Sequence, residues 1–551
     1  MDDRAIKAAG VQRRRMGLVV AASAAGTIFE WYDFFIFGSL ASIIAKHFFT
    51  GVSDTTAFIF ALLTFAAGFF VRPFGALVFG RIGDRAGRKR AFLVTMTIMG
   101  VATVGVGLLG DRAHWGPAAA YALIALRVLQ GFAIGGEYGG AAIYVAEHAV
   151  ASRRGAATGW IQASASLGLF LALFVVFTTR KLLGEATFID QGWRIPFLLS
   201  AVLLAISLWI RLRLNESPLF LRMQEEERAS HAPIAESFFV WRNLRIVLVA
   251  LFGLLMAQGV VWYTAQFYTQ FFLERVLKVE PLTVYSLMMT ISVIGAFLHW
   301  VFAWLSDKIG RKPVMLFGLF LAVICLFPGF RMLTEAANPA LAVATAKAPV
   351  TVFANPQNCS LQFDLIGKAQ FASACDIAKS SLANAGVPYR NQNATAPGVT
   401  IRIGSAEIQA PEGSTLAPAA LAAVKTKFAV TLGKALSLAG YPRSAAPNAV
   451  DVPRALAMLL IFVVAAAALY GPQAAALVEL FPTRIRYTAL SVPYHVGVGW
   501  FGGFLPATAF AIVAATGDIY AGLWYPVVIA GMGFVVTFLL LPETYRRKID
   551  L

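Results

Sequence analysis

The sequence predicts an all-α integral membrane protein. Its twelve transmembrane helices form two pseudo-symmetric six-helix halves, with a small extracytoplasmic α/β insertion between helices nine and ten. Three observations predict it: an apolar composition, regularly spaced apolar stretches and a repeat between the halves. Of 551 residues, 58% are hydrophobic and 14% are charged, against about 25% charged residues in an average soluble chain. So few charges cannot cover a soluble surface.

Apolar stretches of about 20 residues are long enough to cross a bilayer as helices. Twelve of them fall at 17–45, 55–80, 91–110, 117–147, 155–179, 193–214, 244–272, 281–305, 313–333, 455–479, 485–515 and 521–541. An even number puts both termini on the same side. The first stretch is too long for the apolar region of a cleavable signal peptide.

The basic residues set the orientation. Of the 46 Lys and Arg residues, 26 fall in the segments on the side of the termini, 7 in the short segments opposite and 11 in one long segment. This bias predicts that both termini are cytoplasmic. The net charge of +17 is therefore a topology signal, and no nucleic-acid partner is expected.

The two halves share a loop motif, GRIGDRAGRK at 80–89 and DKIGRK at 307–312. The offset between Asp84 and Asp307 is 223 residues, whereas those between Glu147 and Glu479 and between Glu216 and Glu543 are 332 and 327. A jump of this size predicts an insertion of about 105 residues, and internal duplication is typical of transporters. The predicted units are 1–214 (first half), 215–243 (cytoplasmic linker), 244–333 (helices seven to nine), 334–453 (insertion) and 454–551 (helices ten to twelve).

These motifs carry a family resemblance. The loop at 80–89 and its partner at 307–312 resemble the signature loop of the major facilitator superfamily. The segments GTIFEWYDFF (26–35), FVRPFG (70–75), RVLQG (127–131) and GGE (135–137) resemble the metabolite:proton symporters. Relatives in that family carry α-ketoglutarate, citrate, shikimate, dicarboxylates, or proline and betaine. The resemblance covers everything except the insertion, and it does not name a substrate.

The resemblance implies a gate of charged residues at the cytoplasmic side, in which the loop aspartate caps a neighbouring helix end and pairs with basic residues of the other half. The predicted gate residues are Arg72, Asp84, Arg85, Arg88, Glu147, Arg153, Asp307 and Arg311. Arg72 is assigned there because it is only eight residues from Gly80, although packing is an alternative role. The alternative is that these charges only set the orientation of the helices in the membrane.

Charged residues within a membrane cost about 2.5–3.5 kcal/mol each on insertion scales, so each calls for a partner or a watery cavity. At 1.5 Å per residue, Glu30, Asp33 and Arg127 lie near the middle of their helices. A central arginine suits a carboxylate, because its planar fork bonds both oxygens. A fixed internal ion pair between Arg127 and an acid is the structural alternative.

The sequence therefore predicts a central site for an organic anion and a proton. The candidate proton-coupling acids are Asp33, Glu30 and Glu137, with a structural role left open for Glu137. The candidate substrate-binding residues are Arg127, Tyr32, Gln162, Trp262, Tyr263, Gln266, Tyr494 and His495. His495 stands where many relatives have an amide, so a role in helix packing stays open for it.

The insertion at 334–453 contains Cys359 and Cys375. Two cysteines in an oxidising compartment predict a disulfide. The segment 376–385 is predicted to be helical, and the alternation over 398–408 predicts a strand. Substrate capture, partner docking, a lid or a dispensable decoration are all open as its role.

Taken together, the residues and the resemblance predict a proton-coupled symporter that imports a small organic acid anion by alternating access. It is expected in the bacterial inner membrane as a monomer with both termini cytoplasmic and the insertion outside. The alternatives are a carrier of a zwitterionic osmolyte such as proline or betaine, an exporter, or a transporter-like membrane sensor. Since no nucleotide loop, nucleophile motif or metal-ligand spacing is present, neither enzyme activity nor a cofactor or metal is expected.

Overall fold

The computed structural model of the chain describes residues 3–50, 54–86, 88–212, 226, 232–360, 371–394, 398–547 and 549. Within these ranges ten helices are long and apolar enough to cross a membrane, or twelve when each of two bent pairs counts as one span. The spans before the insertion are α1 (Ser23–Ser39 with Ala41–Phe48), α2 (Ala57–Asp84), α3 (Arg90–Leu108), α4 (Ala118–His148), α5 (Ala151–Leu183), α6 (Glu185–Gly192 with Arg194–Ile210), α7 (Trp241–Val276), α8 (Pro281–Ile309) and α9 (Arg311–Ala337).

In the described part of the insertion three helices follow, and then come the last three spans. The insertion helices are α10 (Pro339–Lys347), α11 (Ala374–Ala385) and α12 (Pro418–Leu438). The last spans are α13 (Val452–Leu480), α14 (Arg486–Thr516) and α15 (Ala521–Leu540). A helix or a bent pair thus lies at each of the twelve predicted stretches. The bends in α1 and α6 are 59° and 60°.

The two halves, α1–α6 and α7–α15 without the insertion, meet through equivalent helices: α5 packs on α8, and α2 packs on α14. Small residues bring these helices close. A methyl group added at Gly159 of α5 would come within 2.6 Å of the Ala303 side chain on α8, and one at Gly83 of α2 within 3.0 Å of the Tyr487 ring on α14. We call the end of the bundle that carries Asp84 and Asp307 the motif end, and the opposite end the insertion end.

The insertion forms a four-stranded sheet in the order β2-β1-β3-β4. Its strands are β1 (Val350–Ala354), β2 (Tyr389–Asn393), β3 (Val399–Ile403) and β4 (Ala406–Ala410). Strand β1 pairs with β2 in parallel and with β3 antiparallel. In β3, Val399, Ile401 and Ile403 are buried while Arg402 is exposed, as period-2 alternation requires for a sheet with one covered face.

The prediction of a single strand over 398–408 is wrong, because the chain turns back within it. Gly404 adopts a φ of +56°, a conformation that glycine reaches without steric cost. Strands β3 and β4 on either side of it therefore form a hairpin. Helix α11 spans Ala374–Ala385, where 376–385 is predicted to be helical.

Cys359 and Cys375 form a disulfide with a Cα–Cα distance of 5.2 Å. It ties the chain that follows β1 to the first turn of α11, with 16 residues of sequence separation. Next to it, the Asp376 carboxylate accepts hydrogen bonds from the Ser360 amide (3.0 Å) and hydroxyl (2.6 Å). The start of α11 is thus held covalently and by hydrogen bonds.

Removing this disulfide is expected to destabilise the insertion. Closing a loop of this length contributes about 2–4 kcal/mol to the free energy of unfolding. Cys359→Ser should therefore raise the rate at which a protease cleaves the insertion in the intact protein by at least about tenfold. Cys325→Ser is the matched control, since Cys325 is a free, partly buried thiol in α9. Equal cleavage rates in the two variants would contradict this expectation.

Candidate functional site

At the motif end each loop aspartate caps a helix of the other half. Asp84 accepts a hydrogen bond from the Thr488 hydroxyl (2.8 Å) and a longer one from its amide (3.3 Å), in the first turn of α14. Asp307 accepts from the amides of Gly155 (2.9 Å) and Ala156 (2.7 Å) in α5. A carboxylate is favoured at a helix N-terminus by the free amides and the helix dipole. Each copy of the motif therefore caps a helix of the half to which it does not belong.

A buried ion network joins the halves beside these caps. Glu479 of α13 accepts from Arg154 Nη1 (2.9 Å) across the interface and from Arg311 Nη2 (3.1 Å) within its own half. Its pseudo-symmetric counterpart is the pair between Glu147 of α4 and Arg486 of α14, at 3.0 Å. Both glutamate side chains are fully buried. The motif end is therefore closed by paired charges from both halves.

The structure corrects two of the predicted gate assignments. Arg153 is exposed, and it is its neighbour Arg154 that enters the network. Arg72 lies away from the gate, in the middle of α2. The prediction took the helix to end near Gly80, whereas α2 continues to Asp84, about 18 Å beyond Arg72 at 1.5 Å per residue. The side chains of Arg85 and Arg88 fall outside the part of the chain whose side chains the structure describes.

Neutralising the shared carboxylate of this network is expected to open the motif end. Glu479→Gln leaves the buried Arg154 without its counter-charge and Arg311 with Asp307 alone; breaking a buried pair typically costs about 3–5 kcal/mol. In a Cys325→Ser background, a cysteine at the fully buried Thr158 should then react with a maleimide at least about tenfold faster. Glu407→Gln is the control, because its partner Arg402 is half exposed and such pairs contribute at most about 1 kcal/mol.

Close packing of α2 on α4 places two arginines together. A methyl group at Gly75 would overlap the Phe132 carbonyl, one at Gly131 the Gly68 carbonyl, and one at Gly135 the carbonyl of Arg72. Only glycine permits such an approach of two backbones. As a result Arg72 of α2 and Arg127 of α4 come to lie on the same aromatic ring.

Arg127 is fully buried. Its Nη1 donates to Gln130 Oε1 at 2.5 Å, and Gln130 in turn donates to Thr103 at 2.7 Å. Its guanidinium lies over the rings of Phe37 (4.3 Å) and Phe34 (4.9 Å). No described residue accepts a hydrogen bond from Nε or Nη2 of Arg127. The internal ion pair considered as the structural alternative is thus not formed within the described part of the chain.

Arg72 is equally buried and lies on the same ring. Its guanidinium is 4.2 Å from the centre of Phe34 and 4.0 Å from that of Phe69, so the two guanidinium carbons are no more than about 9 Å apart. The Tyr263 side chain is next to Arg72 but outside hydrogen-bond geometry. None of the guanidinium nitrogens of Arg72 has an acceptor among the described residues.

The three candidate acids fall into two places. Asp33 is buried next to Ser200 of α6, and Tyr32 donates to the Pro196 carbonyl of the same helix at 2.7 Å. Both residues therefore face α6 within the first half. Glu30 and Glu137 instead line a cavity of about 20 Å³ together with Phe34, which is room for about one water molecule.

The second half supplies a polar and aromatic wall from α7, α13 and α14. Trp262 stacks on Phe35 at 5.5 Å, and Tyr263 packs edge-on against Phe69 at 5.3 Å. Within the described residues, no partner bonds Trp262 Nε1, the Tyr263 hydroxyl, either polar atom of Gln266 or either ring nitrogen of His495. Such buried orphan groups are rare in native structures. Those of Trp262, Tyr263 and His495 lie at the interface between the halves.

Two of the predicted ligands bond to Tyr470 of α13, Gln162 across the interface between the halves and Tyr494 within the second half. Gln162 of α5 donates to the Tyr470 carbonyl of α13 at 3.0 Å, and the Tyr470 hydroxyl lies 3.3 Å from that of Tyr494. His495 lies close to Arg72 and the backbone of Gly135. Phe34 is not among the predicted site residues, although it stands four residues after Glu30 in the 26–35 motif and thus on the same helix face.

The halves also touch at the insertion end. Arg180 of α5 donates to the Tyr285 hydroxyl of α8 at 3.1 Å, and Arg275 of α7 donates to the Ser42 hydroxyl of α1 at 3.2 Å. Phe58 of α2 packs against Phe271 of α7 at 5.5 Å. Contacts between the halves are thus present at both ends, and Arg127 is fully buried between them. Among the described residues no group of three His, Cys, Asp or Glu is placed to hold a metal ion.

Comparison with known proteins agrees with this geometry. Residues 18–243 match the family "Sugar (and other) transporter". The xylose transporter XylE from E. coli, in a partially occluded inward-open conformation, aligns over 96% of this chain and 98% of its own with a TM-score of 0.60 at 14% identity. At that identity the likeness concerns the fold alone. The fold and the paired halves thus define a multi-pass membrane protein.

Sequence relatives narrow the class. The chain is 33% identical to the shikimate transporter of Escherichia coli K12 over 323 residues, 56% of this chain and 71% of that protein. It is 33% identical to the α-ketoglutarate permease of the same organism, over 59% of this chain and 74% of that protein. The match to the E. coli proline/betaine transporter, at 32% identity, spans 64% of that protein's length. The chain belongs to the major facilitator superfamily and is related to its metabolite:proton symporters.

Proposed function

We propose that this protein is a secondary transporter that couples the uptake of a small organic acid anion to the inward flow of protons. It works as a monomer in a bacterial inner membrane, with the motif end and both termini cytoplasmic and the insertion outside. The observation that carries the proposal is the buried Arg127, whose Nε and Nη2 have no acceptor among the described residues. A substrate carboxylate is the group that completes it.

The second arginine strengthens this assignment. Two unit charges about 9 Å apart repel by about 2 kcal/mol at an effective dielectric constant of about 20, and Arg72 and Arg127 lie within that distance around Phe34. An anion bound between them relieves the repulsion and supplies the missing acceptors. Shikimate, α-ketoglutarate, proline and betaine, the compounds in the names of the relatives, all carry a carboxylate. We therefore include Arg72 among the substrate-binding residues.

Proton coupling is assigned to the acids next to this pair. Glu137 interacts electrostatically with Arg72 and shares its small cavity with Glu30 and Phe34. Protonation of Glu137 weakens its hold on Arg72 and leaves that guanidinium to the substrate carboxylate. Proton and substrate then bind cooperatively. Protonation of Glu137 favours binding of the substrate carboxylate at Arg72, and the bound carboxylate in turn favours the protonated form of Glu137. Asp33, which faces α6, is assigned a positioning role.

In the proposed cycle the motif end and the insertion end open in turn, because separate contacts hold each end closed. The charge network around Glu479 holds the motif end, and the contacts of Arg180 and Arg275 hold the insertion end. Rocking of one half against the other opens one end at a time around the fixed site. The bound substrate carboxylate pairs with the two arginines and the bound proton neutralises Glu137. Both together favour the occluded form that lies between the two open forms.

Uptake into proteoliposomes tests the proposal. A panel of labelled mono- and dicarboxylates, proline and betaine is offered with and without an inward proton gradient. We expect one acid to accumulate and a protonophore to abolish its accumulation. Equilibration of the substrate that is unaffected by the proton gradient would exclude proton coupling. No uptake of any compound would favour the sensor alternative.

A zwitterionic substrate is the second candidate, because the site is rich in aromatic rings. Phe34, Phe35, Trp262 and Tyr263 lie around the arginine pair, and aromatic faces bind quaternary ammonium groups. In the same panel, betaine uptake that exceeds acid uptake would favour this candidate. Competition by carboxylates that carry no cation would favour the first.

A further inference from the structure

The insertion is bonded to the second half of the transporter. Tyr389 in β2 donates its amide to the Gly517 carbonyl at 2.9 Å and its hydroxyl to the Ala514 carbonyl at 2.9 Å, both at the end of α14. Asn391 donates to the Thr516 carbonyl at 2.8 Å. At the base of the insertion, Asn338 donates to the Leu277 carbonyl after α7 at 2.9 Å. The insertion therefore sits on the ends of α7 and α14.

Helix α11 of the insertion also contacts α2 of the first half. Between the insertion and the membrane helices lies a cavity of about 350 Å³, which we call the junction cavity. Its walls come from α2 (Phe58, Ile59), α7 (Arg275, Val276), α14 (Phe510, Val513) and the insertion (Val387, Tyr389, Ala429). This volume is at the lower end of the range for ligand pockets, which is about 300–1,000 Å³.

The charged groups of the junction cavity are basic. Arg275 and Lys278 line it, and no Asp or Glu is among its described lining residues. Arg275 lies over the Phe58 ring at 4.4 Å, and the Lys278 ammonium donates to the Asn384 carbonyl of the insertion at 2.9 Å. The remaining walls are mostly apolar or aromatic.

The backbone holds Lys278 in place. Its φ is +55°, in the left-handed region that non-glycine residues rarely adopt, and its carbonyl accepts a hydrogen bond from the Ala445 amide of the insertion at 3.0 Å. Such a conformation persists only where the surroundings enforce it. The insertion thus fixes the position of a cation at the wall of the junction cavity.

We propose that the junction cavity is a second binding site, outside the central one, for a small organic anion with an apolar or aromatic body. The carboxylate of this ligand lies against Arg275 and Lys278, and its body packs between Phe58, Phe510 and the insertion. The site exists only because the insertion covers the junction of the two halves. It does not depend on the proposed transport activity.

Cysteine protection tests this site in the intact protein, reconstituted in lipid nanodiscs in a Cys325→Ser background. Ala429 is exposed and lines the cavity, whereas its neighbour Val430 is exposed outside it. Benzoate at about 10 mM, enough to fill a site with a millimolar dissociation constant, should slow the maleimide labelling of Ala429→Cys several-fold. The labelling of Val430→Cys should not change. Uncharged benzamide should protect neither position.

Two variants connect the protection to the cations. Lys278→Gln and Arg275→Gln should each remove the protection of Ala429→Cys by benzoate, and a labelling rate of Val430→Cys equal to that in the unchanged chain shows that the insertion remains folded. Arg127→Lys should lose uptake and keep the protection, so failure of the transport proposal is distinguishable from failure of this one. Unchanged labelling of Ala429→Cys in benzoate, or equal slowing by benzamide, would overturn the proposal.

Discussion

Arg127→Lys is expected to lower kcat/KM for uptake of the substrate by about 10- to 100-fold, although the charge is retained. A hydrogen bond to a charged group contributes about 1.5–3 kcal/mol, and lysine cannot reproduce the planar fork that bonds both carboxylate oxygens. Its ammonium also cannot keep both the bond to Gln130 Oε1 and the stacking over Phe37. The loss should appear mainly as a higher KM, since the contact forms on binding.

The measurement is initial uptake into proteoliposomes under a fixed proton gradient. Arg194→Lys is the matched control: Arg194 is partly buried and donates to the Leu109 carbonyl at 3.1 Å near the insertion end, away from the central site. We expect near-normal uptake from it. An Arg127→Lys protein that is folded and transports with the KM of the unchanged chain would exclude Arg127 as the carboxylate contact.

Arg72→Lys should behave like Arg127→Lys if both guanidiniums hold the anion. A gate residue at the motif end would instead change the maximal rate and the cysteine accessibility at Thr158, with little effect on KM. The pattern of kinetic constants therefore separates the position that the structure assigns to Arg72 from the one that the sequence predicts.

The helices could be predicted from the sequence because a bilayer imposes their length. About 20 apolar residues are needed to span it, so each of the twelve stretches coincides with a helix or a bent pair. The positions of the helices depend on spacing along the chain, which a sequence states directly. That the loop aspartate caps a helix end is implied by the family resemblance, whereas only the structure shows that Asp84 and Asp307 each cap a helix of the other half.

The arrangement of the central site was less accessible, because it depends on helix rotation. Rise per residue places Glu30 and Asp33 at similar depth, but only the packing shows that Asp33 faces α6 and Glu30 the cavity with Glu137. The depth of Arg72 was misjudged because α2 continues past Gly80 to Asp84. The junction cavity depends on how the insertion docks, and no local pattern in the sequence contains that information.

Glu137→Gln is expected to abolish accumulation of the substrate against its gradient while leaving exchange of labelled for unlabelled substrate in place. Exchange needs the carrier to move between its open forms with substrate bound, but it needs no net proton transfer. Glutamine imitates the protonated acid, because it is neutral and similar in shape. It therefore leaves Arg72 to the substrate carboxylate at every pH, and the cooperative link between proton and substrate is lost.

Substitution of other acids provides the controls for this expectation. Glu335→Gln, at an exposed pair with Arg454, should accumulate substrate normally. Asp33→Asn should accumulate it at a reduced rate, because its carboxyl faces α6 rather than the arginine pair. If Asp33→Asn loses accumulation and keeps exchange while Glu137→Gln still accumulates, the coupling acid is Asp33. The first half would then carry the proton between α1 and α6, and the link to the substrate would have to pass through a movement of α1.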